Sequence, residues 1–188
     1  MVNFVDNFYE LSDLGLLTLN FVNSRFFPSV QPRGSFHGGE RIKGFPCYET
    51  DDIPKNLLNI LNKTFEAKTN LKILNSKSFF RKTKKEELKQ SPCYGQYRAH
   101  TDAPTYDIAG VIYFNCNTLD DGTRFYNTDQ CYEPTAIIGA LVNRCIFYSP
   151  QTWHCPPMEQ TVDERWTQPF FLIIKEETYQ KYKESNET

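Results

Sequence analysis

The sequence predicts a mainly β fold with N-terminal helices, a β-sandwich or barrel buttressed by helices on one face. Three observations carry this. From Leu71 onward the chain reads as short β-rich runs separated by Gly, Pro, Asn and Asp. The clearest helical period lies upstream of them, over residues 53–67. The 15 Phe and 11 Tyr among 188 residues supply large rings for a packed core and hydroxyl-bearing ones for a pocket.

Taken in order, residues 6–23 carry apolar positions near helical spacing, with Asp6 or Ser12 as candidate caps, and predict one or two turns leading into a helix. Pro28, Pro32, Gly34, Gly38, Gly39, Gly44 and Pro46 then punctuate a long loop. Within it, His37 reads as a solvent-facing histidine, with the substrate mouth as its functional alternative. The helix over 53–67 takes Asp51 or Asp52 as N-cap and Pro54 in its first turn, and aligns Leu57, Leu58, Leu61 and Phe65 on one face. The β-rich runs are LKILNSKSFF, CYGQYRA, IAGVIYFNC, TRFYN, CIFYS and PFFLIIK. Residues 76–92 set six basic side chains against Glu86 and Glu87 and read as a solvated hairpin or loop, or as a mobile lid that contacts substrate. The expected organisation is one domain over 1–188: a helical support region and loop over 1–70, a β core over 71–175 and a C-terminal tail over 176–188.

Composition removes several function classes. With 21 basic and 23 acidic residues the net charge is -2, without the basic excess that a phosphate backbone requires, so no nucleic-acid partner is expected. The first residues lack the basic and apolar regions of a secretory signal, and no apolar run approaches a membrane span. A cytoplasmic protein is expected, in a host cytoplasm if phage-encoded, with no membrane partner. The six cysteines, Cys47, Cys93, Cys116, Cys131, Cys145 and Cys155, are scattered without a CxxC, which fits reduced thiols and excludes zinc-finger and redox motifs.

Only three histidines are present, and two of them enter one chemical pattern. His100, Thr101 and Asp102 follow the run CYGQYRA, so at strand spacing an imidazole and a carboxylate project to the same side. His154 lies just beyond the run RCIFYS. Two imidazoles and one carboxylate form the facial triad that holds non-haem Fe(II) and leaves a coordination face open. That face can take a chelating keto acid and dioxygen, and the distal carboxylate of the keto acid then needs a cation in a fixed place. Arg165 follows His154 by 11 residues and opens the next β-like run, with Thr167 two positions on along the same face. A guanidinium grips a carboxylate in bidentate fashion, and the hydroxyl adds a hydrogen bond.

Residues 93–175 resemble the catalytic core of the Fe(II)- and 2-oxoglutarate-dependent dioxygenases, in their prolyl-4-hydroxylase-like branch. Tyr94-Gly95-Gln96-Tyr97-Arg98-Ala99-His100-Thr101-Asp102 is similar to the family strand bearing the HxD pair. Gly110-Val111-Ile112-Tyr113-Phe114-Asn115 resembles its "Y-L-N" strand. Asp121-Gly122-Thr123-Arg124-Phe125-Tyr126 resembles "G-G-x-T-x-F", and Asn143-Arg144-Cys145-Ile146-Phe147-Tyr148-Ser149 with His154 resembles "N-R-x-x-x-F…H". The resemblance implies a double-stranded β-helix, or jelly-roll, core buttressed by helices. It implies iron at His100, Asp102 and His154, with Arg165 on the distal carboxylate of 2-oxoglutarate. Tyr113 would share that carboxylate, and Tyr94 would stand near the iron and the cosubstrate.

The implied reaction consumes 2-oxoglutarate and O2, releases succinate and CO2, and hydroxylates a C–H bond of a peptidyl residue such as proline, or of a free amino acid. Two departures qualify it: Asp121 stands where the family pattern has glycine, and Arg165 with Thr167 stands where the prolyl-hydroxylase branch commonly has lysine. The second weakens the case for proline. Rival readings are a zinc hydrolase on the same three ligands and a non-catalytic jelly-roll binding module. Cys155 is expected to pack, and Trp153 and Trp166 read as pocket wall or core.

Overall fold

A computed structural model describes residues 2–28, 36–37, 40–41, 46–90, 99–128, 133–157 and 159–186. Its strands are β1 (Val2–Val5), β2 (Phe27–Pro28), β3 (Phe36–His37), β4 (Glu40–Arg41), β5 (Tyr48–Asp52), β6 (Ile73–Lys84), β7 (Ile108–Tyr113), β8 (Thr123–Tyr126), β9 (Ala136–Ile138), β10 (Cys145–Tyr148), β11 (Trp153–Cys155) and β12 (Glu164–Ile174). The helices are α1 (Leu11–Asn23), α2 (Lys55–Thr69), α3 (Lys85–Gln90) and α4 (Glu176–Asn186).

Seven strands form a large sheet in the order β1-β10-β7-β12-β6-β5-β2, and β11-β8-β9 form a small one. Neighbouring strands in both sheets run antiparallel. A bridge between His100 and His154 adds the HxD segment to the outer edge of the small sheet. This is the jelly-roll core with supporting helices that the sequence predicts.

Strand alternation splits the apolar residues between two cores. From the large sheet, Ile108, Ile112, Cys145, Phe147, Phe170 and Leu172 join Leu17, Phe21, Leu57, Leu61 and Phe65 of α1 and α2. The opposite face sends Ala109, Val111, Tyr113, Ile146 and Tyr148 into the barrel, where they meet Cys116 and Phe125. Gly110 makes room for its neighbours in the same sheet: a Cβ there would lie 2.3 Å from the Phe170 ring of β12 and 2.6 Å from the Ile146 carbonyl oxygen of β10.

Several local expectations are corrected. α2 starts at Lys55 with Pro54 as N-cap and no side-chain cap, because Asp51 and Asp52 are taken into β5, where Asp52 pairs with Lys77 at 3.5 Å. Neither Asp6 nor Ser12 caps α1; the cap is Glu10, and Asp6 binds Arg144 at 2.5 and 2.8 Å. Residues 76–90 are no hairpin, loop or lid. They complete β6, whose ladder to β12 runs from Ile73 to Lys84, and then turn into α3. The expected tail is a helix over Glu176–Asn186 whose Tyr179 and Tyr182 pack on the helical-side core. The 1–70 region also contributes β1 and β5 to the large sheet.

Asn70 ends α2 in the left-handed region at φ 59°, its N–H returning to the Glu66 carbonyl at 2.9 Å. Asn143, at φ 64°, clamps the N-terminal segment: its Oδ1 accepts from the Tyr9 N–H and its Nδ2 donates to the Tyr9 carbonyl, both at 2.8 Å. Among the described residues, no helix is long and apolar enough to cross a membrane.

Phe65 is fully buried, edge-on to Phe8, Phe147 and Phe170 at 5.2–6.4 Å between ring centroids. Phe65→Ala should therefore cost about 3–5 kcal/mol in denaturant unfolding; a loss under about 1 kcal/mol would contradict its place at this junction.

Candidate metal and anion site

The three candidate ligands meet because of strand pairing. The backbone N–H groups of His100 and His154 each donate to the other's carbonyl at 2.9 Å, so the two residues are a directly opposed antiparallel pair with side chains on one face. The Asp102 N–H donates to the Pro150 carbonyl at 2.7 Å, which holds the HxD segment against the turn before β11 and keeps the carboxylate near the imidazoles. One ligand atom from each of His100, Asp102 and His154 lies within 4.8 Å of the others.

The orientation of His154 is defined further. Its Nδ1 lies 2.9 Å from the Thr152 carbonyl oxygen, and a carbonyl only accepts, so Nδ1 carries the proton. In the neutral ring the lone pair is then on Nε2, which lies 3.5 Å from Asp102 Oδ2. Tyr148 flanks the imidazole at 4.5 Å between centroids, as does the His100 ring. Two imidazoles, one carboxylate and a backbone carbonyl fixing the tautomer of a ligand are the donor set and support of a non-haem iron site, so these residues fit that metal.

Deeper in the barrel, Thr167 stands opposite Tyr113 across the β7–β12 ladder, and Arg165 lies on the same face of β12. Arg165 is only 5% exposed. Its Nε donates to the Asp121 carbonyl at 2.8 Å, and its guanidinium lies 5.1 Å from the centre of the Tyr113 ring. Among the described residues no carboxylate forms an ion pair with it. A buried cation without a counter-charge is costly unless an anion joins it. The Tyr113 hydroxyl shares a 2.7 Å hydrogen bond with Thr123 Oγ1. Burial pushes the Tyr113 phenol up, opposed by Arg165 and Thr123, so the phenol keeps its proton at neutral pH.

The structure thus brings His100, Asp102 and His154 into one group, and Arg165, Tyr113 and Thr167 into another. Thr167 points its hydroxyl at the Arg81 carbonyl at 3.4 Å. Tyr94 lies outside the described residues, as does most of the run CYGQYRA. The backbone of His37 belongs to β3, paired with β4, rather than to an unpaired loop. Trp166 is core, not pocket wall: it stacks on Phe21 at 4.8 Å in the helical layer. Cys155 is buried, 3.3 Å from the Tyr126 hydroxyl, and packs as expected.

Sequence reasoning gave no role to Thr123, Tyr148 or the Thr152 carbonyl. Thr123 was accessible through its two-residue spacing from Phe125, which puts both inside the barrel. The other two contacts depend on how strands distant in sequence are laid together.

No family model matches the chain, and no curated protein matches it in sequence. Solved structures do match its fold. A 2OG-Fe(II) oxygenase family oxidoreductase from Burkholderia pseudomallei is 12% identical over 92% of this chain and 85% of its own, with a TM-score of 0.62. A prolyl-4-hydroxylase from Pseudomonas putida is 11% identical over 93% and 92%, with a TM-score of 0.57. HygX from Streptomyces hygroscopicus, solved with nickel, 2-oxoglutarate and hygromycin B, is 7% identical over 92% and 82%, with a TM-score of 0.57. The chain has the fold of these proteins.

Burial lifts the thiol of Cys116, in the barrel core beside Tyr113, to about 11, with Arg165 opposing and Asp121 adding to the effect. The folded state therefore favours the protonated thiol. That stability is whole below about pH 9 and is lost as the pH rises from there through about 11, on the order of 3 kcal/mol. Unfolding free energies measured across this window should fall less steeply for Cys116→Ala than for the wild type, and parallel curves would exclude the effect.

Proposed function

We propose that the chain is an Fe(II)- and 2-oxoglutarate-dependent oxygenase that hydroxylates a C–H bond of a peptidyl residue, proline among the candidates, or of a free amino acid. The whole of 1–188 would act as one catalytic domain in the cytoplasm. The observation that carries the reading is Arg165: a buried guanidinium without a carboxylate partner among the described residues, in the barrel that also holds the His/Asp/His group.

His100, Asp102 and His154 would hold the iron, which when bound supplies the oxidising chemistry together with 2-oxoglutarate and O2. The chain's own part is binding and orientation. The Thr152 carbonyl keeps His154 Nε2 unprotonated and aimed at the metal position. Arg165 would neutralise and grip the distal carboxylate of 2-oxoglutarate, with the Tyr113 hydroxyl as a neighbouring donor and Thr167 joining once its hydroxyl turns from the Arg81 carbonyl. Tyr94, by its resemblance to the family tyrosine, would join near the metal. The rings of Tyr148 and Phe125 beside His154 exclude water from this side.

A zinc hydrolase on the same ligands leaves the buried Arg165 with no anion to bind. A binding module without catalysis has no use for three ligand atoms brought together beside it. On the substrate, the similar structures point both ways, one being a prolyl-4-hydroxylase and another being solved with hygromycin B. The Arg165 and Thr167 pair departs from the prolyl-hydroxylase pattern, so free amino acids belong in the substrate screen with proline peptides.

Anaerobic addition of Fe(II) and 2-oxoglutarate should give a visible charge-transfer band, and admitting O2 should yield succinate. Asp102→Ala should lose both, and a wild type without the band would sink the proposal. Arg165→Gln should keep Fe(II) binding but weaken 2-oxoglutarate by roughly 30-fold or more, as for a buried charge pair broken on one side; unchanged 2-oxoglutarate affinity would remove Arg165 from the role.

A further inference from the structure

The loop between β7 and β8 holds an acid that neither the metal ligands nor the anion-binding side chains account for. Asp121 has 0% exposure, and it stands where the resembled family pattern has glycine. Its carboxylate is fully engaged within the protein. Oδ1 accepts from the Thr161 N–H at 2.7 Å, and Oδ2 accepts from the Thr118 hydroxyl at 2.9 Å and from the Thr161 hydroxyl. Its main-chain carbonyl takes the Nε of Arg165 at 2.8 Å. One residue therefore holds Arg165 at the guanidinium and, through Thr161, holds the segment that enters β12 four residues before Arg165.

The neighbours of Asp121 restrict that carbonyl further. Gly122 passes so close to β9 that a Cβ there would lie 2.1 Å from the Ile138 carbonyl oxygen. Thr123 follows, bonded to the Tyr113 hydroxyl. The three consecutive residues 121–123 thus set both Arg165 and Tyr113. On the other side, buried Gln160 ties the same β11–β12 segment to β6, accepting from the Thr83 hydroxyl at 2.7 Å and donating to the Thr83 carbonyl at 3.1 Å. With Nε already engaged, the guanidinium cannot swing about its stem without breaking that bond, so the Asp121 carbonyl restricts where its planar fork can lie.

We infer that Asp121 is a positioning residue for 2-oxoglutarate, acting through Arg165 and Thr161 without touching the cosubstrate. The inference rests on the reading of the site given above. It assigns to the acid that departs from the family pattern the task of pre-organising the anion-binding arginine, so that less ordering is left to be done when the anion arrives. Removing the carboxylate should loosen the clamp while leaving the metal ligands, held by the His100–His154 pairing, as they are.

The test is an anaerobic titration of the Fe(II)-loaded protein with 2-oxoglutarate, read by the charge-transfer band and by calorimetry, beside a separate Fe(II) affinity measurement. Asp121→Ala should weaken 2-oxoglutarate about tenfold or more, in the range for partners that orient a binding group. Its Fe(II) affinity should stay within about twofold of wild type, and Asp121→Asn, which retains one acceptor for the Thr161 N–H, should recover most of the loss. Should Asp121→Ala fail to fold, Thr161→Val removes one of the same bonds and should shift 2-oxoglutarate affinity in the same direction, again without moving Fe(II). Unchanged 2-oxoglutarate affinity, or an equal fall in Fe(II) and 2-oxoglutarate affinity that marks a merely structural residue, overturns the inference. A wild type that gives no band overturns the reading of the site and this inference with it, whereas a wild-type band with an unaltered variant titration overturns the inference alone.

Discussion

The antiparallel pairing of β7 with β12 is the constraint on which the rest of the molecule depends. β7 is buried along its length and β12 over its middle, and their alternation assigns successive residues to different environments. Trp166, Phe170 and Leu172 face the helices, while Arg165, Thr167 and Phe171 face the barrel. A slip of one residue in register would put the guanidinium into the aromatic layer under α1 and bring Trp166 inside. In that layer the guanidinium would also lose the Asp121 carbonyl that its Nε bonds, which disfavours the slipped register. Helix packing and the buried Arg165 group are in this sense two sides of one alternation.

The same economy governs the candidate metal ligands. His100 and His154 are 54 positions apart and become neighbours through a single pair of backbone hydrogen bonds. Asp102 follows at strand spacing, and Thr152 settles the tautomer of His154 with a backbone carbonyl that any residue type could supply. Side-chain identity matters at three positions, and backbone geometry does the remainder. The two groups are thus built differently: the His/Asp/His group by strand pairing at the edge of the small sheet, and the Arg165 group by side-chain contacts inside the large one.

The polar interior also shows where local signals lose to tertiary ones. Asp51 and Asp52 are good N-cap residues by type, yet they enter β5, because a strand added to the large sheet satisfies more backbone groups than one cap would. The basic stretch after residue 76 looks solvated by composition, yet residues 76–84 make up most of β6, inside the large sheet between β12 and β5, with charged side chains paired to acids such as Glu49 and Glu87. Charge counts register the solvent-facing half of such a strand and miss its buried half, Phe79, Phe80 and Thr83.

By itself the sequence determined the fold class, the strands β7, β8 and β10 with the first part of β6 and the last part of β12, and the α2 helix with its apolar face, and it pointed to the His/Asp/His group and to Arg165. Each of these is written in a local period or a short motif: strand alternation, a helical stripe, an HxD triplet, an Arg two residues before a Thr. Only the tertiary structure decided that β1 and β5 extend the large sheet, that Trp166 belongs to the helical layer, that His154 is oriented by Thr152, and that Asp121 holds Arg165. Those features join residues tens of positions apart through backbone carbonyls and buried hydroxyls. Every residue has a carbonyl, and a threonine reads alike in a strand or a loop, so such contacts leave no mark in the sequence until the chain is folded.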